Sequence, residues 1–563
     1  MLPSLNRART NTARRSPAGR AVLVVLLLVI IALVPLWSVD LPPLVDYHNH
    51  LARQYILANL PHSDQLQSFY QPNWQVAPYL AMDVIVQGLA KWVSVETAGR
   101  IFLSMMFLLV GLAPIVLSLA VQRRVTPIAL LALLTIHNET VRLGFVHYMF
   151  SIGFALCLLA AWIRLREGPR WVRHFVFPIL STLLFFSHLI GFVVYGLTLG
   201  AYELGRHIDN VRRRAPHAPL SLDSTVRSNL ISLGLQCLLP LGIYALYGPS
   251  TAVVSQNRYG DIWRKLELLQ GMFSYLIPPY LWTLDRILVI ALPVALLLLV
   301  VLRRIEIAKH MSWPLLALFC FLLAMPWTLF GGSGADHRLL PALGLLLAGS
   351  LTWRTARSTE PTRASPGPTS SQGLDIQPSR RPNAIARLLQ RCAGNWDTLA
   401  FGLIAALIVV RAGAIALEWQ RSDREYAEYR RAFEFLSDGS RVYYAFGRAG
   451  TTGGRGPSYF LPCLAVAKKD VYLPYLFTTD SNPGINMKYT AAYEPLQHLS
   501  PGPRLAEGQS PDWRATLEAY DYLILGNERL FDVPAQLLLV YRGSDFAVYK
   551  NSARGTKGGK PPH

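Results

Sequence analysis

Residues 42–53 read Pro-Pro-Leu-Val-Asp-Tyr-His-Asn-His-Leu-Ala-Arg, and three of them are of types that move protons or hold anions. On a helix, Asp46, His50 and Arg53 stand at i, i+4 and i+7, so a carboxylate, an imidazole and a permanent cation share one face. A carboxylate so placed can take the proton of an attacking hydroxyl, a service typically worth about 10² to 10⁴ in rate. Asp46 and His50 are also spaced to share a divalent metal ion. The plainer reading is that Asp46 favours the start of an interfacial helix while the other two solvate it. His50 and Arg53, and elsewhere Asp83, Arg142, His337 and Arg338, are candidates to touch a substrate, arginine because its planar fork suits phosphate.

The elements that must position these groups are apolar. The 563 residues are 52% hydrophobic and only 16% charged, well under the roughly 25% of an average soluble chain. About eleven runs approach the ~20 residues that a spanning helix needs. They begin at Ala21–Val39, which follows an Arg-rich tail and lacks a small-x-small cleavage site, so an uncleaved anchor is expected. The others are Ile101–Val121, Pro127–Ile136, His147–Ile163, Phe175–Phe186, Leu189–Leu204, Leu230–Tyr247, Ile287–Leu302, Pro314–Phe330, Leu339–Trp353 and Leu399–Leu417. Their interiors carry almost no charge.

The net charge of +20 would suggest nucleic acid in a soluble protein. Here most arginines between spans fall on one side once the N-terminus is placed in the cytoplasm, as the positive-inside rule requires. The excess is topology, and no nucleic-acid partner is expected; the partner is the bilayer. His48, His50, His137, His147, His188 and His337, six of the thirteen histidines, then lie near the opposite, exported ends of spans. Cys463 is the one cysteine on that side, which excludes a disulfide within the exported tail. No CxxC, HExxH, GxGxxG or GxxxxGK[ST] occurs, and Gly450–Gly456 reads as a flexible loop.

The expected organisation is a cytoplasmic basic tail (1–20), a transmembrane domain (21–355) with an exported loop (40–99), a disordered cytoplasmic loop (356–398), a last span (399–417) and an exported α/β domain (418–563). The exported loop carries amphipathic helices at Asp46–Leu60 and Tyr79–Val93, suited to a membrane surface. A second exported loop, Pro249–Leu284, is rich in aromatic residues. The tail predicts a helix over Arg424–Leu436 and strands at Arg441–Phe446, Tyr520–Leu525, Leu537–Tyr541 and Phe546–Lys550, the last two forming a hairpin.

With these motifs in place, the sequence resembles the GT-C superfamily of membrane glycosyltransferases over roughly residues 20–355. The likeness rests on an N-terminal span followed by Asp46 and the His50–Arg53 helix, on Pro78-Tyr79 entering amphipathic helices, and on Asp336-His337-Arg338-Leu339-Leu340-Pro341 opening a late span. It implies a polyprenyl-phosphate-linked sugar as donor, an envelope glycan, lipid or protein as acceptor, and a site on the exported face of a bacterial inner membrane. It makes Asp46 the catalytic carboxylate. Many members pair two acids there, whereas Tyr47 follows here, which leaves Asp83 to supply a second carboxylate. Some members use a divalent metal and others do not. Arg338, with His337, is either a phosphate contact or an interfacial anchor paired with Asp336. The competing readings are a transporter or flippase of a lipid-linked substrate, and a non-catalytic envelope-assembly protein.

Overall fold

The computed structural model describes residues 17–213, 224–248, 258–260, 263, 265, 268–273, 279–329, 332–354, 396–447, 457–479, 485–499, 504–505 and 509–554. Residues 1–16 of the basic tail, most of the 356–398 loop, Cys392, Gly450–Gly456 and much of the aromatic loop lie outside them.

The chain is mostly helical. Five described helices are long and apolar enough to cross a bilayer. They are α5 (Val95–Gln122), α9 (Val146–Leu165), and parts of α12 (Ser224–Tyr247), of Pro279–Val301 and of Trp396–Phe433. Shorter or more charged helices fill the other apolar runs, among them α1 (Pro17–Trp37), α10 (Phe177–Ser187), α11 (Leu189–Arg213), Ser312–Ala324 and Ala335–Ser350.

The run expected as one span at Pro127–Ile136 is not a single helix. It is broken into α6 (Pro127–Leu130) and α7 (Ala132–Thr135), followed by α8 (Glu139–Arg142). Side chains divert the backbone: Thr126 accepts from the Ala129 amide, Thr135 donates to the Ala132 carbonyl, and Asn138 accepts from Val141. Residues 128–136 are all buried, so protein rather than lipid surrounds the irregular backbone, the one setting in which a membrane tolerates it. The segment still runs the length of the bundle. At one end Gln122 and Thr126 donate to the Leu351 carbonyl; at the other Val45 and Asp46 donate from their amides to Arg142 and Leu143.

The separate helix expected at Arg424–Leu436 is the continuation of the last span. Trp396–Phe433 is one 38-residue helix, about 57 Å long at 1.5 Å per residue. No proline interrupts it, and polar i,i+3 and i,i+4 neighbours support its outer half. It carries a five-stranded sheet of β6 (Val442–Gly447), β8 (Arg504–Leu505), β9 (Tyr522–Gly526), β10 (Leu537–Arg542) and β11 (Phe546–Asn551), in the order β10-β11-β9-β6-β8. β10 and β11 form the expected hairpin, and β6 runs parallel to both β9 and β8. A separate pair, β1 (Tyr70–Pro72) with β7 (Met487–Tyr489), stitches the first loop to this tail in antiparallel register, Tyr70 opposite Tyr489.

One ion pair lies inside the helices. Arg411 donates to Asp285 Oδ1 and to the carbonyls of His137 and Phe273, at 3.2, 2.8 and 3.0 Å, with both charged side chains about 2% exposed. It ties the last long helix to three other segments, and its charges correct the expectation of nearly charge-free spans. Arg411→Met strands a buried carboxylate and should cost about 3–5 kcal/mol. Thermal unfolding in detergent should show that loss, while Arg514→Met, at an exposed pair, should stay within about 0.5 kcal/mol of wild type.

Candidate functional site

Pro42 and Pro43 hold the chain extended, after which α2 (Tyr47–Asn59) starts with Asp46 at its N-cap position. This helix does not lie on a membrane surface as expected. Tyr47 to Arg53 are all buried, beneath α4 (Leu80–Leu89), α5 and the C-terminal region. Asn49 clamps it there by donating to the Tyr475 carbonyl at 3.0 Å and accepting from the Phe477 amide at 2.8 Å. Asp46 is 7% exposed, and its side chain makes no capping bond, so the solvated-cap reading does not describe it. Gly144 presses on it from the side. With φ at +87° and a would-be Cβ only 2.6 Å from the Asp46 amide, that position admits only glycine.

One turn further on, Arg53 Nη1 meets Asp83 Oδ2 at 2.7 Å, the two side chains 1% and 0% exposed. Gln54 also donates to Asp83, as does Asn486 at 2.8 Å. Burial alone would push the Asp83 carboxyl up, but the Arg53 charge and the hydrogen bonds from Arg53 and Asn486 hold it below its ordinary range. Arg53 and Asp83, both expected to contact substrate, are turned toward each other.

A chain of rings runs from His50. His50 packs on Phe477 at 5.0 Å and His147 at 5.1 Å between centroids; His147 meets Tyr79 at 5.5 Å, and Tyr79 meets His188 at 4.7 Å. His188 accepts the Ile190 amide at Nδ1, so its Nε2 carries the proton and donates to the Tyr79 hydroxyl at 3.0 Å. Tyr148 packs on His188 and donates to the Arg338 carbonyl. The Arg338 guanidinium lies 4.4 Å from the centre of the Phe145 ring. Both ring nitrogens of His147 are buried without a hydrogen-bond partner among the described residues, as is His50 Nδ1. Burial, then His147 and Arg53, keeps His50 well below its usual pKa, hence neutral near pH 7.

A second group surrounds Glu139. Arg142 lies 3.4 Å from it and His337 3.8 Å. Asp336 does not pair with Arg338: it accepts from Lys265 at 3.0 Å and from the His337 amide at 2.9 Å. Asp46 and His50 are joined by no third His, Cys, Asp or Glu set to complete a metal site among the described residues. The carboxylate near them, Asp83, has its oxygens taken by Arg53, Gln54 and Asn486, so this donor set does not fit a metal ion.

The expected residues thus fall into three contiguous sets: Asp46 with His50, the Arg53–Asp83 pair, and Arg142, His337 and Arg338. Sequence reasoning passed over Gln54, Glu139, Lys265 and Asn486, and gave Tyr79 no role beyond opening a helix. Only Glu139 left a signal, an acid after an N-capping asparagine beside the candidate Arg142.

No family model and no curated protein matches the chain. Among solved structures it is similar to ArnT from Cupriavidus metallidurans bound to undecaprenyl phosphate, with 15% identity and a TM-score of 0.47 over 96% of this chain and 100% of that one. The apo state of the same protein gives 16% identity and a TM-score of 0.47 over 95% and 98%.

Because His50 is held neutral, the unfolded chain binds a proton below about pH 6.5 that the folded one refuses, and stability falls as pH drops through that value. Asp83, held low, adds a loss that begins only as pH falls through the ordinary carboxylate range near 4. Unfolding midpoints between pH 8 and 5 should therefore decline, and His50→Gln should lessen that decline without abolishing it, since the buried His188 is held low in the same way. An unchanged slope would remove His50 as a source.

Proposed function

We propose that this chain is a membrane glycosyltransferase that moves a sugar from a polyprenyl-phosphate donor to an envelope acceptor at the end of the bundle covered by the C-terminal sheet. One observation carries the reading. Ionisable groups, which membrane proteins avoid burying, converge at that end around Asp46, His50, His147 and Arg338, while the Asp46 backbone N–H is fixed by donating a hydrogen bond to the Leu143 carbonyl.

Asp46 is the general base. The acceptor hydroxyl gives its proton to the carboxylate as its oxygen bonds to the anomeric carbon. The bond from that carbon to the phosphate oxygen breaks with its electron pair leaving on the phosphate, and the anomeric centre is inverted. Arg338 and His337 meet the negative charge growing on the lipid phosphate, where a donor counts most. The bare nitrogens of His50 and His147 are donors and acceptors for sugar hydroxyls. Arg53 and Asp83 act as positioning residues that fix the face of α2 on which Asp46 and His50 stand. Arg411 is bonded to Asp285 and to the carbonyls of His137 and Phe273, which favours a structural lock over a transport pathway. On this reading the membrane is the bacterial inner membrane, about eleven segments cross it, and the C-terminal domain is exported.

The test is the composition of lipid-linked sugars and envelope glycans in a deletion strain complemented with wild type, Asp46→Asn or Arg338→Gln. Asp46→Asn should accumulate to wild-type level with an unchanged unfolding midpoint and lose about 10² to 10⁴ in transfer; full rescue by it would sink the assignment. Arg338→Gln should lower turnover more than it weakens donor binding, since its contact strengthens in the transition state.

A further inference from the structure

We infer that the end of the bundle away from the candidate site holds an anionic phospholipid in a groove between α5 and α9. The two helices touch closely at Gly153, where a Cβ would stand 2.7 Å from Leu109 and 2.8 Å from Val110. Toward their other ends they face each other across small side chains, including Ala120, Ala160 and Ala161, and this leaves a groove of about 360 Å³. Its walls are apolar, with Val116 and Leu119 on the α5 side, as suits an acyl chain. Its mouth is lined by Arg123 and Arg164.

The charge at that mouth is what selects the occupant. Several other arginines near this groove are engaged with protein: Arg166 with Glu167 and Glu203, Arg206 with Glu167, and Arg124 with Thr352 and the Trp353 carbonyl; Arg303 and Arg304 are exposed too but do not line the groove. Arg123 and Arg164 are exposed and have no side-chain partner among the described residues. Two guanidiniums at the polar end of an apolar slot match a phosphate headed by two hydrocarbon chains, and arginine clusters beside spans favour acidic headgroups. A zwitterionic lipid offers the same phosphate beside a cation that the two arginines repel. The site is independent of the catalytic reading and needs only that the helices sit in a bilayer.

The experiment is native mass spectrometry of the purified full chain titrated with phosphatidylglycerol or phosphatidylcholine. Wild type should retain phosphatidylglycerol in preference, and Arg123→Gln with Arg164→Gln should cut that preference about tenfold. Arg303→Gln with Arg304→Gln, which removes equal charge from the same end outside the groove, should leave it unchanged. Ala161→Phe, which fills the slot and keeps both charges, should also reduce retention. Unfolding midpoints confirm that each variant folds. The inference fails if wild type shows no preference, if the groove variant keeps it, if the control pair loses as much, or if polyprenyl phosphate displaces phosphatidylglycerol at equimolar concentration.

Discussion

The Arg53–Asp83 pair joins parts of the chain that are far apart in sequence. Arg53 belongs to α2, Asp83 to α4, and the third member, Asn486, lies more than four hundred residues on, beside β7. An unpaired buried charge of either sign costs several kcal/mol, so neither helix can settle without the other. Gln54 fills the carboxylate oxygen that the arginine leaves open, and the tail's amide adds a second donor to the oxygen that the arginine holds. The β1–β7 ladder and the Asn49 clamp on Tyr475 and Phe477 tighten the same joint. The C-terminal region is therefore part of the candidate site, because Phe477 packs directly on His50.

This dependence explains why the site was only partly legible in the sequence. The apolar runs, the side on which histidines gather and the strands of the tail could be read from local pattern, since hydrophobic period and turn chemistry act over a few residues. The strand over Tyr520–Leu525 and the hairpin after it lie within two residues of their expected positions. The spacing of Asp46, His50 and Arg53 correctly placed them on one helix. It could not say that this helix is buried, because Asn49, Arg53, Gln54 and Tyr55 are each matched by a group from a distant segment. A helix with Asn49, His50, Arg53 and Gln54 reads as a surface helix until its partners are known. Asn486 has no local feature that marks it. The broken crossing at 127–136 was hidden for a related reason: its composition suits a spanning helix, and only the surrounding protein lets Thr126, Thr135 and Asn138 divert its backbone.

The two ends of the bundle handle charge differently. At the end away from the site, arginines are mostly exposed or paired on the surface, which follows from orientation and says little about chemistry. At the site end charge is scarce and buried, and each charged group there has an identifiable restraint. Arg53 and Lys265 are neutralised by Asp83 and Asp336, and Arg142 by Glu139. Arg338 is the exception: it rests on an aromatic face, its Nε is buried without a hydrogen bond among the described residues, and no carboxylate holds it. A cation restrained by a ring gives up little when an anion arrives, whereas one locked to a carboxylate must first break that pair. Of the cations at this end it is the one best prepared to meet a phosphate, and the ring it rests on, Phe145, directly follows Gly144, which packs on the Asp46 backbone. On the proposed reading the loop at 144–145 stands between Asp46 as base and Arg338 as cation, which suits a reaction in which a proton leaves on one side of a carbon as negative charge develops on the other.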